Sequence, residues 1–168
     1  YGSPVLVDYL SSKDLGEIVV VSPDVGGVAR ARAFAKQMSD APLAIIDKRR
    51  SAHNVAQSLT VIGEVKEKTA ILIDDMIDTG GTICAGAKLL RKEGAHRVIA
   101  CASHPVFSPP SCQRLSGEGL FEEVVVTNSI PISSEQKFSQ LKVLSVANML
   151  GEAIWRIHEE SSVSSMFR

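Results

Sequence analysis

The stretch ILIDDMIDTGGT, residues 71–82, places three aspartates and two adjacent glycines directly after a run of aliphatic residues. The aliphatic run predicts a buried strand, and residues 82–93 have the apolar spacing of an amphipathic helix. Glycines between a strand and a helix allow left-handed dihedral angles and close approach, so backbone N–H groups can converge on one point. The stretch therefore predicts a strand–loop–helix unit with an anion site at its turn.

Similar aliphatic runs recur along the chain, with helical segments between them. The predicted strands are residues 18–22, 43–47, 70–74, 98–103 and 124–127. Each is apolar on both faces, as in a parallel strand covered by helices on either side. The alternation predicts an α/β fold with an open, mainly parallel sheet flanked by helices on both faces.

The last predicted helix covers residues 146–159 and is expected to close the domain. Its apolar stripe comprises Val146, Met149, Leu150, Ala153, Ile154 and Ile157. Trp155, on the same helix, is assigned to the core or to an interface. Because no linker or internal repeat interrupts the pattern, residues 1–168 are predicted to form a single domain.

Composition narrows the class of protein. A net charge of -1 and a pI near 6.5 argue against nucleic-acid or membrane binding. The three cysteines are odd in number and lack metal-ligand spacing, which favours reduced thiols in an intracellular protein. No apolar run is long enough for a membrane-spanning helix.

The central stretch also predicts a sugar-phosphate site. The five residues proposed to hold a phosphate monoester are Asp78, Thr79, Gly80, Gly81 and Thr82. Two carboxylates would repel a phosphate, so Asp74 and Asp75 at the exit of the strand are assigned to vicinal hydroxyls of the sugar. Mg²⁺ bound through water to one of them is a compatible alternative. A simple helix cap by Asp78 or Thr79 would explain neither the aspartate pair nor the double glycine.

Two other loops follow predicted strands and therefore open on the same sheet edge. In SPDVGG, residues 22–27, Asp24 is either a turn residue or a ligand for metal or sugar. In DKRRSAHNVAQ, residues 47–57, consecutive cations serve either solubility or a lid over a developing pyrophosphate. The roles of His53 and His104 stay open.

These segments resemble a known family. ILIDDMIDTGGT is similar to the phosphoribosyl diphosphate binding loop of type I phosphoribosyltransferase folds. VVVSPDVGG, AIIDKRR and SVSSMF are similar to segments in the C-terminal half of ribose-phosphate pyrophosphokinases. The resemblance covers residues 17–167 and has four motifs in the same order.

The resemblance implies transfer of diphosphate from Mg-ATP to the C1 hydroxyl of ribose 5-phosphate, with release of AMP, for nucleotide biosynthesis. Lys48 and Arg50 would be the catalytic residues on a flexible loop, and Asp24 would contribute to an Mg²⁺ site. It also implies a homo-oligomer, typically a hexamer, with Ser162 and Ser164 in an allosteric phosphate or ADP site. The expected partners are ribose 5-phosphate and ATP, without nucleic acid or membrane, in cytoplasm or plastid.

One departure concerns the start of the chain, which is Tyr1. The family carries an N-terminal half with a metal histidine and the adenine pocket, and that half has no counterpart here. The chain is therefore expected to bind ribose 5-phosphate but to turn over ATP poorly or not at all. One alternative is a salvage phosphoribosyltransferase, although no base-recognition segment is seen. The other is a noncatalytic associated or regulatory subunit, which the presence of Lys48 and Arg50 disfavours.

Overall fold

The computed structural model describes residues 2–49, 58–117 and 119–167, which form a seven-stranded sheet with helices on both faces. The helices are α1 (Ser3–Ser11), α2 (Val28–Gln37), α3 (Gly81–Lys92), α4 (Ser111–Leu115) and α5 (Ala147–His158). The strands are β1 (Ile18–Ser22), β2 (Leu43–Arg49), β3 (Ser58–Ile62), β4 (Thr69–Ile77), β5 (Arg97–Pro105), β6 (Glu123–Thr127) and β7 (Leu141–Leu144). Two 3-10 helices cover Ser134–Gln136 and Ser164–Phe167.

The strand order is β3-β2-β1-β4-β5-β6-β7, which confirms the predicted α/β fold with a mainly parallel sheet. Only the β2–β3 pair is antiparallel among the strand pairs of the described residues. β2 and β3 lie on one side of β1, whereas β4 and all later strands lie on the other side. Such a switch point leaves a crevice beyond the carboxyl ends of these strands, where ligands of α/β proteins bind.

The strands are apolar on both faces because each face is covered by helices. Alternate residues of β4 show this directly, since Leu72 belongs to the core under α3 and α4, whereas Ile71 belongs to the core under α1 and α2. On the first face Leu90 of α3 is fully buried, and on the second Phe34 of α2 is almost fully buried. The two cores fix β4 between them and so fix the loop that follows it.

The sheet is larger than the sequence predicts. β3 and β7 were not predicted, and β4 continues to Ile77, so Asp74 and Asp75 lie within the strand and not at its exit. β2 likewise continues to Arg49, because β3 turns back and pairs with it, with Lys48 opposite Leu59. Lys48 is therefore a strand residue, and its assignment to the loop is wrong.

The prediction that the last helix, α5, closes the domain with its apolar stripe is also wrong. No residue of α5 is buried, and Ile154 and Trp155 are 69% and 56% exposed. The physical reason is that α1 and α2 already cover the adjacent face of the sheet. An apolar stripe indicates that a helix has a side to bury, but not the surface against which it is buried.

A matched pair of substitutions tests this exposure. Ile154→Val is expected to change the free energy of unfolding by less than about 0.5 kcal/mol, because the side chain is largely in water. Ile71→Val removes the same methylene from a site with 0% exposure, and is expected to cost about 0.5–1.5 kcal/mol. Urea denaturation of this chain measures both. Equal losses would mean that α5 is packed as tightly as the central strand.

Within the described ranges, none of the helices combines the length and the apolar character needed to cross a bilayer.

Candidate functional site

Two adjacent carboxylates lie near the carboxyl end of the central strand β4. The side chain of Asp74 is 25% exposed and that of Asp75 is 48% exposed. The backbone N–H of Asp75 donates to Asp74 Oδ1 at 2.9 Å, and the N–H of Met76 donates to Asp75 Oδ1 at 2.8 Å. Each carboxylate is thereby tied through one oxygen to the backbone that carries it.

Arg30 links these two carboxylates and was not predicted as a site residue. Its Nη1 donates to Asp74 Oδ1 and its Nη2 to Asp75 Oδ2, each at 2.8 Å. α2 follows β1, and β1 pairs with β4, so the first turn of α2 lies beside the aspartates. No local sequence pattern marks Arg30 as a site residue, because the strand order is what brings it beside the aspartates.

The pKa of Asp74 is raised above its ordinary value, chiefly because burial penalises the charged carboxylate. The neighbouring charge of Asp75 acts in the same direction. The backbone N–H of Asp75 and the cation of Arg30 oppose the rise. Arg30 therefore favours the ionised form of Asp74, which is the form that accepts hydrogen bonds on both oxygens.

The loop after β4 presents backbone donors. Gly80 is the N-cap of α3 with φ at +72°, a left-handed conformation that glycine adopts without the steric cost of a Cβ. No side chain caps this helix within the described chain, so the capping role considered for Asp78 or Thr79 is not seen. The first N–H groups of α3 and the positive end of its dipole are therefore available to an anion.

The side chains around this loop are accessible. Asp78, Thr79 and Thr82 are exposed, whereas Gly80 is buried. Arg114 of α4, a second residue that the sequence did not indicate, donates from Nη1 to the backbone oxygen of Thr79 at 3.0 Å. Because Arg114 is 35 residues from Thr79 in the sequence, no local sequence pattern could predict this contact. The loop is thus accessible to solvent, and the hydrogen bond from Arg114 holds the backbone of Thr79.

Asp24, the predicted Mg²⁺ ligand, shapes the turn after β1. Its Oδ1 accepts the N–H of Gly27 at 2.8 Å, and its backbone oxygen accepts the hydroxyl of Ser22 at 2.6 Å. The turn function considered from the sequence is therefore present. No group of three or more histidine, cysteine or acidic side chains suited to a metal occurs in the described part of the chain. A protein-only metal cage is not formed by these residues.

Of the two predicted catalytic cations, Lys48 and Arg50, the structure describes only Lys48. Lys48 is exposed and lies in β2, next but one to β4 in the sheet. Arg50 lies outside the described residues, as does His53. The structure therefore places only the first of the two cations.

A cavity of about 750 Å³ adjoins the aspartates. Its polar lining includes Arg30, Asp74, Asp75, Ser103, His104 and Ser129. His104 Nδ1 lies 2.9 Å from Ser129 Oγ, and this hydroxyl donates to the backbone oxygen of Ser103. Ser129 thus links His104 to the backbone of β5 at the wall of this cavity.

The predicted allosteric serines lie in the C-terminal tail. Ser162 Oγ and Ser164 Oγ are 3.0 Å apart. Arg156 of α5 donates from Nη1 to the backbone oxygen of Ser162 at 3.2 Å and to Ser165 Oγ at 2.7 Å. The tail is therefore folded against α5, and its regulatory role stays a prediction.

Comparison with known proteins agrees with this geometry. Residues 49–168 match the family model described as the phosphoribosyl synthetase-associated domain. Over 168 residues the chain is 84% identical to a ribose-phosphate pyrophosphokinase of Prochlorococcus marinus, covering 100% of this chain and 51% of that protein. It is 62% identical to ribose-phosphate pyrophosphokinase 1 of Spinacia oleracea, covering 100% of this chain and 50% of the relative.

A solved structure agrees as well. The phosphoribosylpyrophosphate synthetase from Mycobacterium smegmatis superposes with a TM-score of 0.86 at 44% identity, over 95% of this chain and 51% of that one. The chain thus spans about half the length of the relatives that it matches. Because the family model covers well over half of its residues, the chain belongs to the phosphoribosyl synthetase-associated domain family.

Proposed function

We propose that this chain provides the ribose 5-phosphate site and the catalytic loop of a ribose-phosphate diphosphokinase. The reaction joins the C1 oxygen of ribose 5-phosphate to the β-phosphorus of Mg-ATP. The bond between that phosphorus and the oxygen bridging to the α-phosphorus breaks, the hydroxyl proton is lost, and AMP leaves. The product is phosphoribosyl diphosphate, a precursor for nucleotide biosynthesis.

One observation carries this proposal. A helix start without a side-chain cap, with Gly80 in a left-handed conformation, and an acid pair, Asp74 and Asp75, lie in one strand–loop–helix unit. Amide donors suit a phosphate dianion, and carboxylate oxygens suit the hydroxyls of a sugar. A pentose 5-phosphate carries both groups a few bonds apart. Relatives named ribose-phosphate pyrophosphokinase support the same substrate.

Each group then has one task. The loop of Asp78, Thr79, Gly80, Gly81 and Thr82 holds the 5-phosphate. Asp74 and Asp75 accept hydrogen bonds from the sugar hydroxyls and fix the ring. Lys48 and Arg50 neutralise charge on the phosphoryl group during transfer, where catalysis depends on positioning and electrostatic stabilisation.

Mg²⁺ is the cofactor that the donor set suits. It prefers oxygen ligands and commonly binds through one or two carboxylates together with substrate phosphates and water. Asp24 offers such a carboxylate, with Oδ1 engaged by Gly27 N–H. When bound, the ion screens the negative charge of the phosphates.

We also propose that the protein acts as a homo-oligomer, a hexamer by resemblance to its family. The exposed apolar side of α5 is compatible with burial in a larger assembly. Ser162 and Ser164 are proposed to contribute to a regulatory site for phosphate or ADP.

The proposal is tested by a coupled AMP assay with ATP and ribose 5-phosphate. The chain is assayed alone and together with the half that its longer relatives possess. We expect AMP only from the combination, while calorimetry shows that the chain alone binds ribose 5-phosphate. Pyrophosphate release that depends on an added nucleobase would instead indicate a salvage phosphoribosyltransferase. Absence of binding and of AMP in both samples would favour a noncatalytic subunit.

Replacing Asp74 by Asn tests the sugar site. The dissociation constant for ribose 5-phosphate is expected to rise about 10-fold, because hydrogen bonds to an ionised acceptor are stronger than those to a neutral amide. Isothermal calorimetry measures the change. Asp8→Asn, an equal change of charge at an exposed residue of α1, is the matched control and should have little effect. An unaltered dissociation constant for Asp74→Asn would remove its assigned role.

A further inference from the structure

Arg30 makes an unusual contact for an arginine beside acids. Its guanidinium does not fork onto one carboxylate; Nη1 binds Asp74 and Nη2 binds Asp75, both at 2.8 Å. One planar, rigid group therefore sets the separation and the relative orientation of two side chains. The single positive charge of Arg30 offsets one of the two adjacent negative charges.

The remaining hydrogen bonds show which oxygen is left open. Asp74 Oδ1 accepts from both Arg30 and the N–H of Asp75, and Asp75 Oδ1 accepts the N–H of Met76. Asp75 Oδ2 accepts from Arg30. Within residues 2–49, 58–117 and 119–167, no backbone N–H and no cationic side chain donates to Asp74 Oδ2. Three of the four carboxylate oxygens thus accept hydrogen bonds that hold the side chains in place. The fourth, Asp74 Oδ2, can accept a hydrogen bond from a ligand in the cavity that both aspartates line.

We propose that Arg30 is a positioning residue that gives the site its selectivity for a sugar with vicinal hydroxyls. This inference rests on the proposed function, since it assumes that Asp74 and Asp75 face the sugar. Without the bridge, the two carboxylates repel one another and turn apart. Two neighbouring hydroxyls then no longer find two acceptors at a fixed spacing.

Selectivity follows from the same geometry. A site that holds oriented acceptors rejects a ligand lacking one hydroxyl, because one acceptor stays desolvated without a donor. A site whose acceptors can turn loses this penalty. Loss of Arg30 should therefore change the ratio of the dissociation constants of 2-deoxyribose 5-phosphate and ribose 5-phosphate more than it changes the affinity for the phosphate group. Both sugars carry the same phosphate, so the general effect of a lost positive charge cancels in the ratio.

The experiment measures both dissociation constants by calorimetry in the 168-residue chain and its variants. In the parent chain we expect ribose 5-phosphate to bind roughly 10-fold more tightly than the deoxy sugar. In Arg30→Gln and Arg30→Lys this ratio of dissociation constants should fall to about 2 or less. Neither glutamine nor lysine offers a rigid, planar cation with two N–H groups that can bridge two carboxylates. Arg32→Gln is the matched control. Arg32 is exposed on the same helix, has no hydrogen bond to either aspartate in the described chain, and should keep the ratio.

Three results would overturn the inference in different ways. A parent ratio retained in both Arg30 variants would show that the bridge does not govern selectivity. Tighter binding of ribose 5-phosphate by Arg30→Gln would show that Arg30 occupies the place of the hydroxyls. Failure of the parent chain to bind either sugar would remove the proposed function as well. Melting curves identify a variant that fails to fold, and Arg30→Lys preserves the charge should Arg30→Gln be unstable.

Discussion

Replacing Gly81 by Asp is expected to weaken ribose 5-phosphate binding on the order of 100-fold while leaving the protein folded. A carboxylate at the first residue of α3 would lie beside the proposed phosphate, and two anions a few ångströms apart repel by more than 1 kcal/mol even in water. The fold should tolerate the change. A Cβ at this position meets only Arg114 Nη1 at 3.6 Å and Thr79 Oγ1 at 3.8 Å, and an acid in the first turn suits the helix dipole.

Gly81→Asn is the control for this experiment, because it has nearly the same size and no charge. It should weaken binding by less than about 10-fold, since a neutral amide adds only crowding. Calorimetric titration with ribose 5-phosphate, with melting temperatures recorded in parallel, separates affinity from stability. Equal losses in the two variants would attribute the effect to crowding. Full affinity in both would place the phosphate elsewhere.

Lys48→Ala is expected to lower turnover by about 10²-fold to 10³-fold and to leave the dissociation constant for ribose 5-phosphate almost unchanged. A preorganised cation aimed at the transferring phosphate stabilises charge that is greatest in the transition state, so its loss appears in the rate and not in binding. The measurement uses a protein that joins this chain to the half present in its longer relatives. AMP release gives the rate and calorimetry gives the affinity.

Lys36→Ala supplies the comparison, since it removes the same charge from an exposed position on α2. It should leave the rate within about 2-fold of the parent, as surface substitutions away from special features usually have small effects. If Lys48→Ala weakened sugar binding as much as it slowed turnover, the lysine would be a binding residue. A normal rate would show that the cations of this segment serve another purpose.

The sequence predicted those features that depend on short-range periodicity. The five predicted strands are all present, because a run apolar on both faces has one stable place, the middle of a sheet between two helical layers. The glycine pair likewise indicated a turn with free N–H groups, and Gly80 adopts the left-handed conformation. Such local signals need no knowledge of neighbours in space.

The features that were missed depend on neighbours distant in sequence. Arg30 reaches Asp74 over 44 residues and Arg114 reaches Thr79 over 35, so both contacts require the strand order. The end of β2 likewise depends on its pairing with β3, which moved Lys48 from a loop into a strand. For α5 the predicted helix was correct, but its predicted packing was not. The sequence of a helix shows which side is apolar, but not the surface that this side contacts.

The acid pair and the proposed phosphate loop lie in one uninterrupted run, residues 74–82, from the end of β4 to the start of α3. Most residues proposed to recognise the sugar phosphate therefore lie on one strand–loop–helix unit, and Arg30, which is proposed to position the acid pair, is supplied by α2. Lys48, one of the two cations assigned to catalysis, lies on a different strand, β2, and is therefore supplied separately. A related protein could thus carry out a different reaction on the sugar and still bind it in the same way.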